Sequence, residues 1–158
     1  MAGDGQDILV RPVTLSDLSD LRQLYLELTS GADVPDGEEG QAKLAEILAH
    51  PGTTLFGADI DGRLVAVASL HICPNLTFGG RPHARIENVV SLQAIRGTGA
   101  GRAVTEAAIG EAWAQDCVSI ILLSGKSLGA KGFYEKLGFN ADDKWGMILR
   151  PERVAEAG

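Results

Sequence analysis

The chain has 158 residues and a formal net charge of -7, with 45% hydrophobic and 22% charged residues. That length suits one domain over residues 1–158, and the composition excludes disorder as a whole-chain state. The acidic balance excludes nucleic acid or an anionic membrane as the main partner, since both select clustered Lys and Arg. An anionic small ligand needs only a local patch and stays possible.

Met1 to Asp7 carries no basic or apolar run, so no signal peptide is visible. No stretch reaches the ~20 apolar residues of a membrane span. Cys73 and Cys117 form no C-x-x-C pair and no Cys/His metal spacing. Two reduced thiols, no metal and a cytoplasmic location are the expectation.

In chain order, Ile8 to Pro12 reads as a strand. Thr14 then caps a helix, with Asp17 as the reciprocal acid three residues on. Leu18, Leu21, Tyr25 and Leu28 recur at helical spacing, and Leu24 widens the stripe. Gly31 to Gly40 is a loop broken by Pro35 and Asp36-Gly37. A second helix runs from near Glu39 to Ala49 on Leu44, Ile47 and Leu48. Thr53 to Asp59 and Leu64 to Ile72 are strands joined by Asp61-Gly62, a strong two-residue hairpin signal. Pro74 to Pro82 is a loop and Arg85 to Leu92 a fourth strand. A Gly-rich turn, 96–101, leads into a helix from about Gly101 to Gln115. Its apolar stripe is Ala103, Val104, Ala107, Ala108 and Ala112. Val118 to Leu123 is a fifth strand, Ala130 to Leu137 a short helix stopped by Gly138, Trp145 to Leu149 a final strand, and 151–158 a tail. The order β-α-α-β-β-β-α-β-α-β predicts an α+β fold, a mixed central sheet flanked by helices in three layers.

The segment Arg96-Gly97-Thr98-Gly99-Ala100-Gly101-Arg102 stands between an apolar strand and an alanine-rich helix. Glycines let backbone N–H groups converge, and at a helix N-terminus such a nest binds phosphate. Arg96 and Arg102 add charge. A dinucleotide fingerprint would need Gly at 102, where Arg102 stands. Gly125-Lys126-Ser127 imitates the end of a P-loop, but the spacing needs Gly at 120, which is Ile120. A phosphate nest and a plain Gly-rich turn remain the two readings of the loop itself.

Three segments in order carry a resemblance. Ile86-Glu87-Asn88-Val89-Val90-Ser91-Leu92, the 96–101 loop and Gly132-Phe133-Tyr134-Glu135-Lys136-Leu137-Gly138-Phe139 resemble the central strand, the pyrophosphate motif and the C-terminal signature of the GCN5-related N-acetyltransferase (GNAT) family. The likeness covers about Ile8 to Leu149. Gln93-Ala94-Ile95 departs from the residues many members carry in that turn. The resemblance implies a GNAT fold whose fourth and fifth strands splay to admit acetyl-CoA as cosubstrate. Val89, Val90 and Leu92 would then line the pantetheine arm, with Val90 and Leu92 offering backbone groups. Gly97, Thr98, Gly99, Ala100, Gly101 and Arg102 would take the pyrophosphate, with Arg96 beside them. Ser124, at the end of the fifth strand, would bond cofactor or substrate, or equally cap the strand end.

Acyl transfer to an amine needs a base for the ammonium and an acid for the departing thiolate. On the implied fold Glu87 is the candidate base, directly or through water, and Tyr134 the candidate acid. Asn88 falls on the opposite face of the strand unless a bulge intervenes, and ranks lower as a substrate contact. The competing roles are a salt-bridged strand glutamate and an aromatic anchor. His71, Cys73 and His83 show no pairing signal, which favours structural or loop roles. The 73–83 loop, with Thr77, Arg81 and His83, would help form the acceptor pocket. Asp33, Asp36, Glu38 and Glu39 would suit a cationic acceptor, with a solvated charged loop as the favoured reading. The expected activity is acetyl transfer to a primary amine of a small molecule or peptide. The glucosamine-6-phosphate acetyltransferases within the family are an alternative, resembled by the Glu87–Val90 and Phe133–Phe139 runs, with Arg81, His83 and Arg85 as the visible phosphate-binding groups. A CoA-binding sensor without turnover is another. A homodimer is implied by the resemblance alone.

Overall fold

The structure, a computed structural model, describes residues 6–151. The predicted tail lies outside the described residues beyond Pro151, as does the start of the N-terminal segment. The chain divides into two compact units, one ending at Leu122 and one beginning at Leu123.

The first unit is a five-stranded sheet with three helices. β1 (Leu9–Pro12), α1 (Leu18–Leu28), α2 (Gly37–Ala49), β2 (Thr53–Ile60), β3 (Arg63–Cys73), β4 (His83–Ser91), α3 (Ala100–Ala114) and β5 (Ile120–Ile121) follow in sequence. The strands lie in the order β1-β2-β3-β4-β5. All pairs are antiparallel except β4 with β5. The β2–β3 turn is the predicted hairpin: Asp61 and Gly62 both have positive φ, 53° and 80°, as a type I′ turn requires. Gly62 N–H donates to Asp59 Oδ1 at 2.8 Å and fixes it.

β3 alternates between two apolar layers. Val67 joins Leu55 and Val90 beneath Leu21 and Leu24 of α1 and Leu44 of α2. Ala66 and Ala68 join Ala58 beneath Ala100 and Val104 of α3. The alanines on that side let α3 lie close to the sheet. Burial of a side chain such as Leu24, fully enclosed, contributes about 2 kcal/mol. This gives the predicted three layers.

At the start, Asp17 does as its sequence position implies and accepts the Thr14 N–H at 2.8 Å. It also receives both Nη atoms of Arg11 at 2.8 Å each, while Arg11 reaches Asp59 at 3.0 Å. One guanidinium thus ties β1 to the helix entry and to β2. α2 starts earlier than predicted because Asp36 caps it, accepting Gly37 N–H at 2.8 Å. Glu38 and Glu39 are therefore first-turn helix residues rather than loop acids, and Asp36 also pairs with Arg22 at 3.7 Å.

The second unit holds a 3-10 turn (Lys126–Leu128) and α4 (Lys131–Lys136). Gly138, φ 97°, closes α4: its N–H bonds Glu135 O at 3.0 Å, and Phe139 N–H bonds Tyr134 O at 3.1 Å. This is the helix stop the sequence placed there. Two strand predictions need correction. The fifth strand shrinks from Val118–Leu123 to Ile120–Ile121, because its ladder meets only Ala84 and Arg85 of β4. Trp145 to Leu149 is no strand: it has no ladder partner among the described residues, and Trp145, Met147, Ile148 and Leu149 are exposed. An apolar run marks β propensity, but a strand exists only through its neighbour.

Candidate active site

β4 carries a bulge that sets the site. Glu87 faces Ser69 and Val90 faces Val67, so β4 takes three steps where β3 takes two. Asn88 absorbs the extra residue in the left-handed region at φ 50°, which asparagine tolerates better than most side chains. The bulge turns Glu87 and Val90 to the same face, the side of α1 and α2. Val89 packs toward the α3 layer and Asn88 is exposed. Simple alternation would have put Glu87 and Val90 on opposite faces.

β4 and β5 pair only at Ala84 with Ile120 and Arg85 with Ile121, so among the described residues no strand lies beside the β4 edge from Ile86 to Ser91. Which backbone groups face that edge follows from the ladder. Leu92 N–H donates to Val65 O at 2.9 Å, and Leu92 O accepts Ile95 N–H at 3.0 Å. The expectation that Leu92 offers its N–H to a ligand is thus corrected: β3 already takes it. Two residues back, Val90 is in the same phase toward β3, leaving Val89 and Ser91 directed outward. The Val90 side chain is buried core, and Leu92 packs against both apolar layers.

Glu87 is half-buried, with 37% of its side chain exposed. Arg85 pairs with one carboxylate oxygen, and His71 Nε2 stands 3.7 Å from the other. The carboxylate is therefore held by Arg85 and faced by His71, with 37% of the side chain open to solvent. Arg81 is tied to Asp116 at 3.0 Å, which leaves His83 as the one member of the Arg81, His83 and Arg85 set outside an ion pair among the described residues.

The 96–102 loop leads into α3. Gly97 and Gly99 have φ of 85° and 93°, and Gly99 caps the helix. The first intrahelical bond is Ala103 N–H to Gly99 O at 2.9 Å. The amides of Gly99, Ala100, Gly101 and Arg102 are left without helical acceptors, a ready anion cradle. Thr98 contributes less than expected, since its amide and hydroxyl both donate to Ile95 O, at 3.3 and 2.8 Å. Arg102 lies along the helix against Glu106 at 2.8 Å, and Arg96 is exposed. Gly101 is small for a packing reason: a Cβ there would meet Ser91 Oγ at 2.6 Å. Glu27 of α1 accepts Gln93 N–H at 2.9 Å and holds the turn before the loop. Neither Ser91 nor Glu27 carries a sequence signal for these contacts.

In the second unit Tyr134 stacks edge-on with Phe133 and Phe139, with ring centroids 5.0 and 5.9 Å apart. Burial pushes its phenol above the ordinary tyrosine value, so it is protonated at neutral pH. Ser124 is exposed, three residues past β5. Both cysteines are free. Burial pushes the Cys117 thiol up, away from nucleophilic chemistry. Among the described residues no three His, Cys, Asp or Glu side chains gather at metal-binding distance. No helix among them is long and apolar enough to cross a membrane.

The chain is similar to known proteins. The model of the acetyltransferase (GNAT) family matches residues 18–139. A glucosamine 6-phosphate N-acetyltransferase of Trypanosoma brucei brucei is 36% identical over 141 residues, 87% of this chain and 92% of that protein. Among solved structures, a protein from Agrobacterium tumefaciens assigned to the acetyltransferases superposes with a TM-score of 0.86 at 40% identity, covering 90% of this chain and 99% of that one. An acetyltransferase from Trypanosoma brucei superposes with a TM-score of 0.78 at 32% identity, covering 91% and 100%. With the splayed β4–β5 edge and the amide cradle at α3 on the same sheet, the chain belongs to the acetyltransferase (GNAT) family, enzymes that move an acetyl group from acetyl-CoA to an amine.

Proposed function

We propose that this chain acetylates a primary amine of a small molecule or peptide by direct attack on acetyl-CoA, with Glu87 as the base and Tyr134 as the acid. The observation that carries the reading is Glu87 itself. Its carboxylate sits at the bulge beside the open β4 edge, held by Arg85 and facing His71, with a flank still accessible. An amine with pKa ~10.4 arrives as ammonium and must lose a proton before it attacks. Glu87 takes that proton directly or through water, and Asn88 contacts the acceptor from the exposed turn of the bulge. The outward backbone of Val89 and Ser91 pairs with the pantetheine arm, over the floor made by Val90 and Leu92. The amides of Gly97 and of Gly99 to Arg102 hold the pyrophosphate, with Arg96 adding charge and Ser124 a hydroxyl. The protonated phenol of Tyr134 donates to the thiolate as it leaves. The family match runs from residue 18 to 139, through the first unit and into the second, and so contains both Glu87 and Tyr134. No covalent enzyme intermediate is needed, and the Cys117 thiol, raised by burial, is unsuited to form one.

The relative at 36% identity favours a narrower acceptor, an aminosugar phosphate, as a second reading. A homodimer in the cytoplasm completes the proposal. The test is an acceptor panel with acetyl-CoA and thiol release as the readout. Glucosamine 6-phosphate, glucosamine, polyamines, amino acids and peptides are offered in turn. Release with any amine supports the enzyme, and preference for glucosamine 6-phosphate over glucosamine supports the phosphate-bearing class. Acetyl-CoA binding without release in any arm leaves a CoA-binding domain instead.

A further inference from the structure

Glu87 ends a line of polar groups that crosses three strands. In the ladder Thr53 of β2 faces His71 of β3, and His71 faces Arg85 of β4, one row from Glu87. Thr53 Oγ1 lies 3.0 Å from His71 Nδ1 and 3.0 Å from Nδ1 of His50, which follows the last residue of α2. The far nitrogen of His71, Nε2, points at Glu87 Oε2 across 3.7 Å. That gap is one small side-chain movement or one bridging water from a hydrogen bond. His71 and Glu87 are half-buried and His50 is exposed, so the line runs from the open edge of the sheet to solvent on another side.

A hydroxyl has one proton. Between two imidazole Nδ1 atoms it donates to one and accepts from the other, so neutral His50 and His71 hold opposite tautomers. The line therefore has two orientations, and they are the states before and after one proton has passed.

We propose that His71, Thr53 and His50 form the proton exit for Glu87, an inference that rests on Glu87 being the base. An acceptor seated at Glu87 covers its open flank, and the proton taken from the ammonium needs another way out. The protonated Glu87 carboxyl gives its proton to His71 Nε2. His71 gives the proton on Nδ1 to Thr53 Oγ1, and Thr53 passes its own to His50 Nδ1. His50 releases the proton on Nε2 to solvent. Glu87 ends as carboxylate, both rings end neutral in the other tautomer, and one proton has left. The first orientation returns once the product has left and water reaches the Glu87 flank: His71 releases the Nε2 proton to solvent, Thr53 gives its proton to His71 Nδ1 and takes the one on His50 Nδ1, and His50 Nε2 regains a proton from solvent. These three side chains are positioning and relay groups, and none touches the acceptor.

The test compares Thr53→Val, Thr53→Ser, His50→Ala and Glu87→Gln with the parent, using acetyl-CoA and glucosamine 6-phosphate. Thr53→Val keeps shape and strand propensity but breaks the relay. Its kcat should fall about tenfold with KM for acetyl-CoA within about twofold of the parent, part of the range open to general base catalysis. Thr53→Ser should run near the parent. His50→Ala should be slowed and should regain rate as imidazole is added, whereas the parent should not respond. Independently of any acceptor, the 15N signals of both His50 and His71 Nδ1 should move in Thr53→Val. Parent-like kcat in Thr53→Val beside a slow Glu87→Gln overturns the relay and spares the base. Parent-like Glu87→Gln overturns the base reading beneath it. Unmoved Nδ1 signals overturn the hydrogen-bonded line itself.

Discussion

The position of Glu87, the proposed base, follows from a one-residue shift of register. Because Asn88 takes up an extra step, the carboxylate and the buried Val90 share a face, and Arg85 and His71 flank the carboxylate. Glu87→Gln keeps the size of the side chain but replaces one acceptor oxygen by an NH2 group and cannot take a proton. It should lower kcat by roughly 10²–10⁴-fold while acetyl-CoA affinity stays near that of the parent. Steady-state thiol release beside calorimetric titration of acetyl-CoA checks this. Tyr134→Phe keeps the edge-on stack with Phe133 and Phe139 and removes only the hydroxyl. Turnover should fall by at least about tenfold with little change in melting temperature. Since burial raises the phenol, a basic limb that reports it lies above the ordinary value of ~10, and the mutant should lose that limb. A large drop in melting temperature with normal turnover would instead mark Tyr134 as an anchor between aromatic neighbours.

At the scale of elements, the tie among Arg11, Asp17 and Asp59 decides how β1 enters α1. The Arg11 guanidinium holds the Asp17 carboxyl below the usual carboxylate range, against the opposing cost of its burial. A lowered native pKa means that the stabilising contribution is complete above the unfolded value near ~3.9 and is lost as pH falls through the native one. Asp17→Asn should therefore cost about 2–3 kcal/mol at neutral pH, and the difference from the parent should shrink below about pH 4. Urea melts of both proteins across pH measure it. The amide cradle gives a second prediction. Gly99 has open space where a Cβ would stand but a φ of 93°, so Gly99→Val strains the cap and crowds the anion site. It should weaken acetyl-CoA by at least about tenfold and cost roughly 1–2 kcal/mol of stability, read by titration and urea melts. Gly101→Val is the poorer probe of binding, because Ser91 is in its way and the packing of α3 on β4 fails with it.

The same elements show what the sequence could tell. The hairpin, the caps at Thr14 and Gly138 and the Gly-rich turn into α3 at Gly99 rest on local chemistry, and each stands where its residues implied. Pairing across strands was less legible. Counting from the Asp61-Gly62 turn sets Asp59 against Leu64, and simple continuation would place Thr53 opposite Leu70. A shift between Ala58 and Asp59 moves the register by one and brings Thr53 to His71. No residue type announces that shift, so the line from Glu87 to His50 was invisible, as was the backbone phase that commits Leu92 to β3. Trp145 to Leu149 failed for the converse reason: the pattern suited a strand, but no partner pairs with it among the described residues.

For the molecule as a whole, the account joins one binding surface to one chemical step and separates them by experiment. The cradle and the open β4 edge are features of the free fold, so acetyl-CoA at ~100 times its Kd should add about 2.7 kcal/mol of stability without any acceptor. A thermal melt unmoved by acetyl-CoA and by CoA would remove the binding surface. The most direct test of the central claim takes the parent and Glu87→Gln at saturating acetyl-CoA, with glucosamine 6-phosphate and the other panel amines, and follows thiol release and acetyl-CoA affinity in the same preparations. The account predicts that both proteins bind acetyl-CoA equally, that the parent releases thiol only when an amine is present, and that Glu87→Gln releases it at least about a hundredfold more slowly. Equal rates in the two proteins, or tight binding with no amine-dependent release from the parent, would contradict it.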